Sequence, residues 1–282
     1  MKENFNDFFN QIIDNYNEKD ELNENKDLIE LCLLIFLVEI ENSLLNNNQN
    51  NEYDDWMDQD DWLDSNSSNI KNGKFIYEWS NGDIYEGDWL DNKQHGKGIK
   101  YYAKTMDKYE GEFRLDKMNG KGVYYYSKTG DKYEGDFNDD KKHGKGVYYY
   151  SNGNKYEGEY VADKKEGKGI LNFNNGDKYV GDFIGDKRNG NGVYYYMNGN
   201  KYDGEHKYGK QNGKGKMYYV NGDIYDGYWM DNKKHGKGVY FYPSGDKYEG
   251  EWLDDKQHGK GIYYYWNSSF ISQIWNNGNK VI

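Results

Sequence analysis

The sequence predicts a mainly β protein: an elongated single-layer array of about eight 23-residue antiparallel β-hairpins, preceded by an N-terminal α-helical hairpin. Three observations predict it. Tyr recurs at positions 85, 109, 133, 156, 179, 202, 225 and 248, in steps of 24, 24 and then 23. Glycines stand two, eleven and thirteen residues after every one of these tyrosines, which is the mark of a repeated supersecondary unit. The chain of 282 residues holds 32 Tyr, 8 Trp and 35 Gly against one Pro. Leu, Ile, Val and Phe make up only 17% of it, too little for a large aliphatic core. A chain poor in aliphatics but rich in flat rings buries area through aromatic contacts in an ordered β array.

Residues 1–46 read as helix. Phe5, Phe8, Phe9, Ile12, Ile13 and Tyr16 fall on one stripe of a 3.6-residue period. Residues 27–45 form a second helix, apolar over most of its circumference, and a polar stretch joins the two. So short a pair cannot bury both apolar faces alone and needs the repeats, a second copy or a partner to cover them. Residues 47–72 read as a low-complexity linker holding an acidic–aromatic segment. In that segment, residues 52–64, seven acids alternate with Tyr53, Trp56, Met57, Trp62 and Leu63. It is either a solvated tether or a docking peptide whose rings anchor and whose acids seek a basic surface.

Residues 73–275 form the array, with 276–282 as a C-terminal tail. In KYEGDF the two-residue strand period puts Tyr133, Gly135 and Phe137 on one face and Lys132, Glu134 and Asp136 on the other. NDDKKH reads as a connecting loop and GKGVYYY as the return strand. SNG is the turn to the next unit. Two strands per unit advance the sheet by about 10 Å, so eight units span roughly 80 Å. Residues 73–79 supply a leading strand, and Ile271, Gln273 and Trp275 a closing one.

Charge divides the chain. The formal balance is −14 over residues 1–72 and +2 over the rest, within a total of −12. That disfavours nonspecific binding to nucleic acid or to anionic membranes. Cys32 lies in an apolar run and reads as a buried thiol in a reducing compartment. The first residues lack the pattern of a secretory leader, and no apolar run approaches the roughly 20 residues of a membrane helix. The expected setting is intracellular and cytoplasmic, at most peripheral to membrane or cytoskeleton.

Chemistry is sparse. His95, His143, His235 and His258 share one repeat position, so successive copies lie far beyond the ~2 Å reach of a zinc ligand. His206 stands at an aromatic position, where titration would loosen its unit at low pH. Gly96-Lys97-Gly98 hints at a phosphate loop, but Gly follows the Lys and no helix is expected after it. No cofactor, metal or catalytic site is expected. The candidate binding residues are the basic side chains of the expected loops: Lys141, Lys142, Lys145, Lys164, Lys165, Lys168, Lys187, Arg188, Lys233, Lys234 and Lys237. Along one edge they would form a basic row, either solubilising or a ladder for phosphoinositide heads or an acidic peptide.

YEGDWLDNKQHGKGI at 85–99 and YEGEWLDDKQHGKGI at 248–262 resemble MORN repeats (membrane occupation and recognition nexus). The resemblance covers about 73–275. It implies an elongated single-sheet hairpin array, often dimeric, that scaffolds cytoskeletal, ciliary, cell-division or membrane-associated structures. Catalytic domains found with some members are separate segments. The reading is therefore a non-enzymatic scaffold for protein–protein assembly or self-association. The alternatives are a module for anionic lipid and a regulatory subunit of a separate enzyme.

Overall fold

The computed structural model describes residues 71–281. The expected helical segment 1–46, and the docking segment with Tyr53, Trp56, Met57, Trp62 and Leu63, lie outside these residues. Among the described residues nineteen strands form one sheet, and each pairs antiparallel with the next. The leading strand is β1 (Gly73–Glu78), followed by β2 (Ile84–Leu90), β3 (Lys93–Tyr102), β4 (Asp107–Arg114) and β5 (Lys117–Tyr126). Next come β6 (Asp131–Asn138), β7 (Lys141–Tyr149), β8 (Lys155–Val161), β9 (Lys164–Asn172) and β10 (Lys178–Ile184). They continue with β11 (Lys187–Tyr195), β12 (Lys201–Lys207), β13 (Lys210–Tyr218), β14 (Ile224–Met230) and β15 (Lys233–Phe241). The last are β16 (Lys247–Leu253), β17 (Lys256–Tyr264), β18 (Phe270–Asn276) and β19 (Asn279–Lys280).

One repeat explains the others. On β6, Tyr133 and Phe137 are buried on one face, with Gly135 between them. Gly135 is in register with Gly146 of β7, and the Tyr133 ring lies flat over this glycine pair. A Cβ on Gly146 would stand 2.5 Å from ring carbons of Tyr133, so only Gly fits beneath the ring. The Tyr133 hydroxyl then donates to the Asp136 carbonyl at 2.9 Å, which satisfies it inside an otherwise apolar layer. All eight repeat tyrosines are fully buried over such glycine pairs.

The core is a zigzag of edge-to-face rings along the sheet. Tyr109 meets Phe113 and Phe137 at 5.0 Å, and Tyr133 meets Phe137 and Tyr160 at 5.1 Å. The chain of contacts runs from Trp89 to Trp275, with His206 as its one imidazole among the described residues. Single-layer stability thus comes from rings packed across neighbouring hairpins, each such pair adding about 1 kcal/mol beyond area burial.

The expected NDDKKH loop is far shorter than read. Asn138 ends β6 and Lys141 opens β7, leaving only Asp139 and Asp140 in the turn, at φ 47° and 67°. Two successive residues at positive φ make the hairpin turn whose twist matches the strands. The same geometry recurs at Asp91–Asn92, Leu115–Asp116, Ala162–Asp163 and Asp254–Asp255. The expected C-terminal tail also contains structure: Asn277 and Gly278 turn the chain so that β19 pairs with Trp275 and Asn276. The closing strand forms as read, with Gln273 opposite Gly261.

Neighbouring repeats are stitched at both ends of their strands. Asp140 donates its N–H to the Met118 carbonyl and accepts the Met118 N–H on Oδ1, both bonds crossing from one repeat to the one before. At the other end Asp131 accepts the Ser151 N–H and the Tyr148 hydroxyl. Burial pushes the Asp131 carboxyl up, but these hydrogen bonds outweigh it and hold the group below the usual carboxylate range.

Candidate functional site: two faces and a turn edge

The repeat period copies every side chain into a row, so the surfaces are best read by position within the unit. The eleven candidate cations occupy three rows, on strands rather than in loops. The first row, Lys141, Lys164, Lys187 and Lys233, opens the return strands at the turn edge and is exposed. Lys233 reaches toward Asp254 of the following turn at 3.9 Å, and Lys187 toward the Tyr208 ring. Such exposed pairs contribute little.

The second row, Lys142, Lys165, Arg188 and Lys234, turns onto the aromatic face and is half-buried. Lys142 Nζ lies 5.0 Å from the Tyr148 ring and donates to the Tyr126 hydroxyl at 3.4 Å. Lys234 Nζ lies 4.8 Å from Trp252 and 5.0 Å from Tyr240. Arg188 stacks 4.9 Å from Tyr194 and donates to the Gly209 carbonyl at 2.6 Å. Burial lowers the Lys142 and Lys234 ammonium groups below the usual lysine range. Gln94, Met118, Gln211 and Gln257 fill the same position elsewhere. These cations are therefore packing groups inserted between rings, stabilised by the ring quadrupoles.

The third row, Lys145, Lys168 and Lys237, projects from the opposite face. Here each lysine stands in register with the residue three places after the next repeat tyrosine: Lys121 with Asp136, Lys145 with Glu159, Lys168 with Asp182, Lys237 with Glu251. Lys121–Asp136 and Lys168–Asp182 close to 2.5 Å. The sequence reading therefore brought together residues that the fold separates onto two faces and an edge. The signal that separates them is parity: Lys141, Lys142 and Lys145 change sides according to the pleat and the bulge after it.

That bulge carries the feature that sequence reasoning missed. After the Gly135–Gly146 pair the register jumps, so three residues of β7 oppose Asp136 alone. Gly144 takes φ 58°, and the Lys145 N–H is left without a strand partner. Asp136 Oδ2 accepts it at 2.9 Å. Asp88, Asp182 and Glu205 do the same for Lys97, Asn191 and Lys214. In these four repeats one carboxylate closes the bulge, and in two of them it also holds the lysine of the repeat before. In the seventh repeat the position is Tyr228. Across the lysine of the eighth repeat, Lys260, stands Ile274. Both departures line a groove of about 840 Å³ on this face.

Among the described residues no three His, Cys, Asp or Glu side chains converge in a way that would hold a metal ion. The shared-position histidines follow the repeat spacing, and His206 sits in the buried ring zigzag, 4.9 Å from Tyr179 and 5.1 Å from Tyr202.

No curated protein matches the chain. Among solved structures, the TCP10 domain of Danio rerio CPAP in complex with a peptide of Danio rerio STIL is 11% identical to it. That comparison covers 76% of this chain and 94% of that one, at a TM-score of 0.46. The TCP10c domain of Drosophila melanogaster Sas-4 is 13% identical, over 71% of this chain and 97% of that one, at a TM-score of 0.25. Virginiamycin B lyase from Staphylococcus aureus is 12% identical, over 73% and 85%, at a TM-score of 0.16. The family model of the MORN repeat matches eight successive segments: residues 85–105, 109–130, 133–155, 156–178, 179–201, 202–224, 225–247 and 248–268. Every match starts on one of the eight buried tyrosines, and together they take in more than half of the sequence: the chain belongs to the MORN repeat family.

Proposed function

We propose that this protein is a scaffold that assembles other proteins along its repeat sheet, in an intracellular setting peripheral to cytoskeleton or membrane. The MORN family is a non-enzymatic repeat family. One observation carries the choice of protein over lipid. The eleven candidate cations lie on two faces and an edge, and the second row is engaged with rings. A flat anionic surface meets one such row at a time, whereas a partner chain can follow a face. Many weak, equivalent contacts along an array add up to firm attachment.

The test uses the full chain in two arms. It is mixed with phosphatidylcholine vesicles containing phosphatidylinositol bisphosphate, and separately used to capture proteins, each at physiological and at high salt. The scaffold reading expects protein capture that survives high salt and no pelleting with vesicles. Pelleting that salt abolishes, and that Lys141→Gln, Lys164→Gln and Lys233→Gln together remove, would overturn it in favour of an anionic-lipid module.

A further inference from the structure

The groove on the carboxylate face is where the repeat loses two of its own acids. In the third repeat one carboxylate serves two donors: Asp136 Oδ2 takes the Lys145 N–H at 2.9 Å and Oδ1 takes Lys121 Nζ at 2.5 Å. In the fifth, Asp182 takes the Asn191 N–H at 3.0 Å and Lys168 Nζ at 2.5 Å. In the seventh the equivalent donors are the Lys237 N–H and Lys214 Nζ, and Tyr228 offers neither of them an oxygen. Lys214 instead rests 5.5 Å from the Tyr228 ring.

The room of the missing carboxylate is still there. A Cβ built on Gly144 would lie 2.7 Å from an Asp136 oxygen. At Gly236 the nearest atoms to the same point are Tyr228 Cβ and Cγ, at 3.6 and 4.0 Å. The second loss stands alongside, where Ile274 faces Lys260 in register. The remaining acids of the groove are already committed. Asp226 pairs with Lys216 at 2.9 Å, Glu249 pairs with Lys247 at 3.5 Å, and Glu251 lies over the Gly259 bulge. Among the described residues no carboxylate lies within 4.0 Å of the ammonium of Lys214 or Lys260. Tyr228, Lys237 and Glu251 stand across the strands between these two lysines, Val239 and Ile262 line the groove beside them, and Ile274 stands beyond Lys260.

We propose that this groove binds an extended segment of a partner protein that supplies the two missing acids. One carboxylate of the partner takes the place of Asp136 in the seventh repeat, over the Lys237 N–H and Lys214. The second meets Lys260. Apolar side chains between them rest on Val239 and Ile262, beside the line of the two lysines. Lys214 on β13 and Lys260 on β17 are four strands apart, roughly 19 Å at the usual strand spacing. An extended chain at about 3.3 Å per residue therefore places its two acids about six residues apart. This assignment rests on the scaffold reading and names the partner chemistry for one of its surfaces.

The experiment selects peptides from a random dodecapeptide library on the full chain, then measures the affinity of the synthesised winners by fluorescence polarisation. Enrichment of two acids about six residues apart, with apolar residues between, is expected. Tyr228→Glu restores the residue type of the other repeats, so it folds, and it fills the vacant position from within. It should weaken the selected peptides about fivefold, because the partner's contact with the exposed Lys214 and Lys237 is lost and the new carboxylate repels the partner's acid. Tyr228→Phe keeps the vacancy and should bind as the parent does. Peptides without acids, or peptides bound equally by Tyr228→Glu, would overturn the groove assignment and leave the scaffold reading standing. A library that yields no binder would overturn the groove assignment as well. Coupled with salt-sensitive pelleting on vesicles, the same result would remove the scaffold reading too.

Discussion

Each repeat tyrosine is held by a ring stacked on two glycines, and seven of the eight also by a hydroxyl bonded to a backbone carbonyl. The second contact can be removed without the first. Tyr133→Phe leaves the Asp136 carbonyl short of a donor and should cost about 1 kcal/mol in urea unfolding. Tyr248 is the counter-case, since its buried hydroxyl has no hydrogen-bond partner. Tyr248→Phe should be neutral or slightly stabilising in the same assay. His206 sets the pH response. Burial first, and then the Arg188 charge, pull its pKa from 6.5 down to about 4. Between those values the unfolded chain binds a proton that the folded chain does not. Stability is therefore complete above pH 6.5 and falls as pH drops toward 4, by about 3 kcal/mol in all. His206→Phe should flatten that dependence in urea unfolding compared at pH 7 and pH 4.5.

At the scale of the hairpin, the controlling feature is a two-residue turn that demands positive φ twice. Asp, Asn and Gly tolerate this, and they fill most of these turns. Leu115 does not suit it: it sits at φ 51° with its side chain in solvent. Leu115→Asn should raise stability by about 0.5–1 kcal/mol, visible as a higher thermal midpoint, because the backbone conformation is kept and its steric cost falls. The hairpins themselves were legible from the Tyr–Gly spacing. Their turn was not, because Lys141 and Lys142 after Asp140 look like more loop on polarity alone. Only the strand pairing of Asn138 with Lys141 shows that the polar run is already sheet. The Asn277–Gly278 pair is a hairpin signal for β19 that the reading of 276–282 as a tail passed over.

Across the whole array, the buried ring chain has one polar link, between the apolar rings of Tyr85 to Phe183 and those of Tyr202 to Trp252. His206 stands at this junction and bridges Tyr179 to Tyr202. In a quasi-one-dimensional array each repeat is stabilised by its neighbours, so the weakest interface opens first. Hydrogen exchange at pH 4.5 should show the amides of β12 and β13 exchanging ahead of those of β6 and β7. Uniform exchange along the sheet would mean that the imidazole is no weaker a link than the rings.

The period, the hairpin, the aromatic face and the family were all determined by the sequence alone. Each follows from residue types at fixed spacing, and a repeat writes the same local rule eight times. The tertiary structure decided where the basic residues go. Lys141, Lys142 and Lys145 are near neighbours in the chain, yet the pleat and a bulge send them to an edge, into the tyrosines and out on the far face. It also decided which departures from the repeat matter. Tyr228 and Ile274 are ordinary residues in a list. They become a vacancy because strand pairing sets each against a lysine, and because a bulge amide at the first lacks the carboxylate that four other repeats provide. Pairing across strands is a contact between residues far apart in sequence, and local spacing carries no record of it.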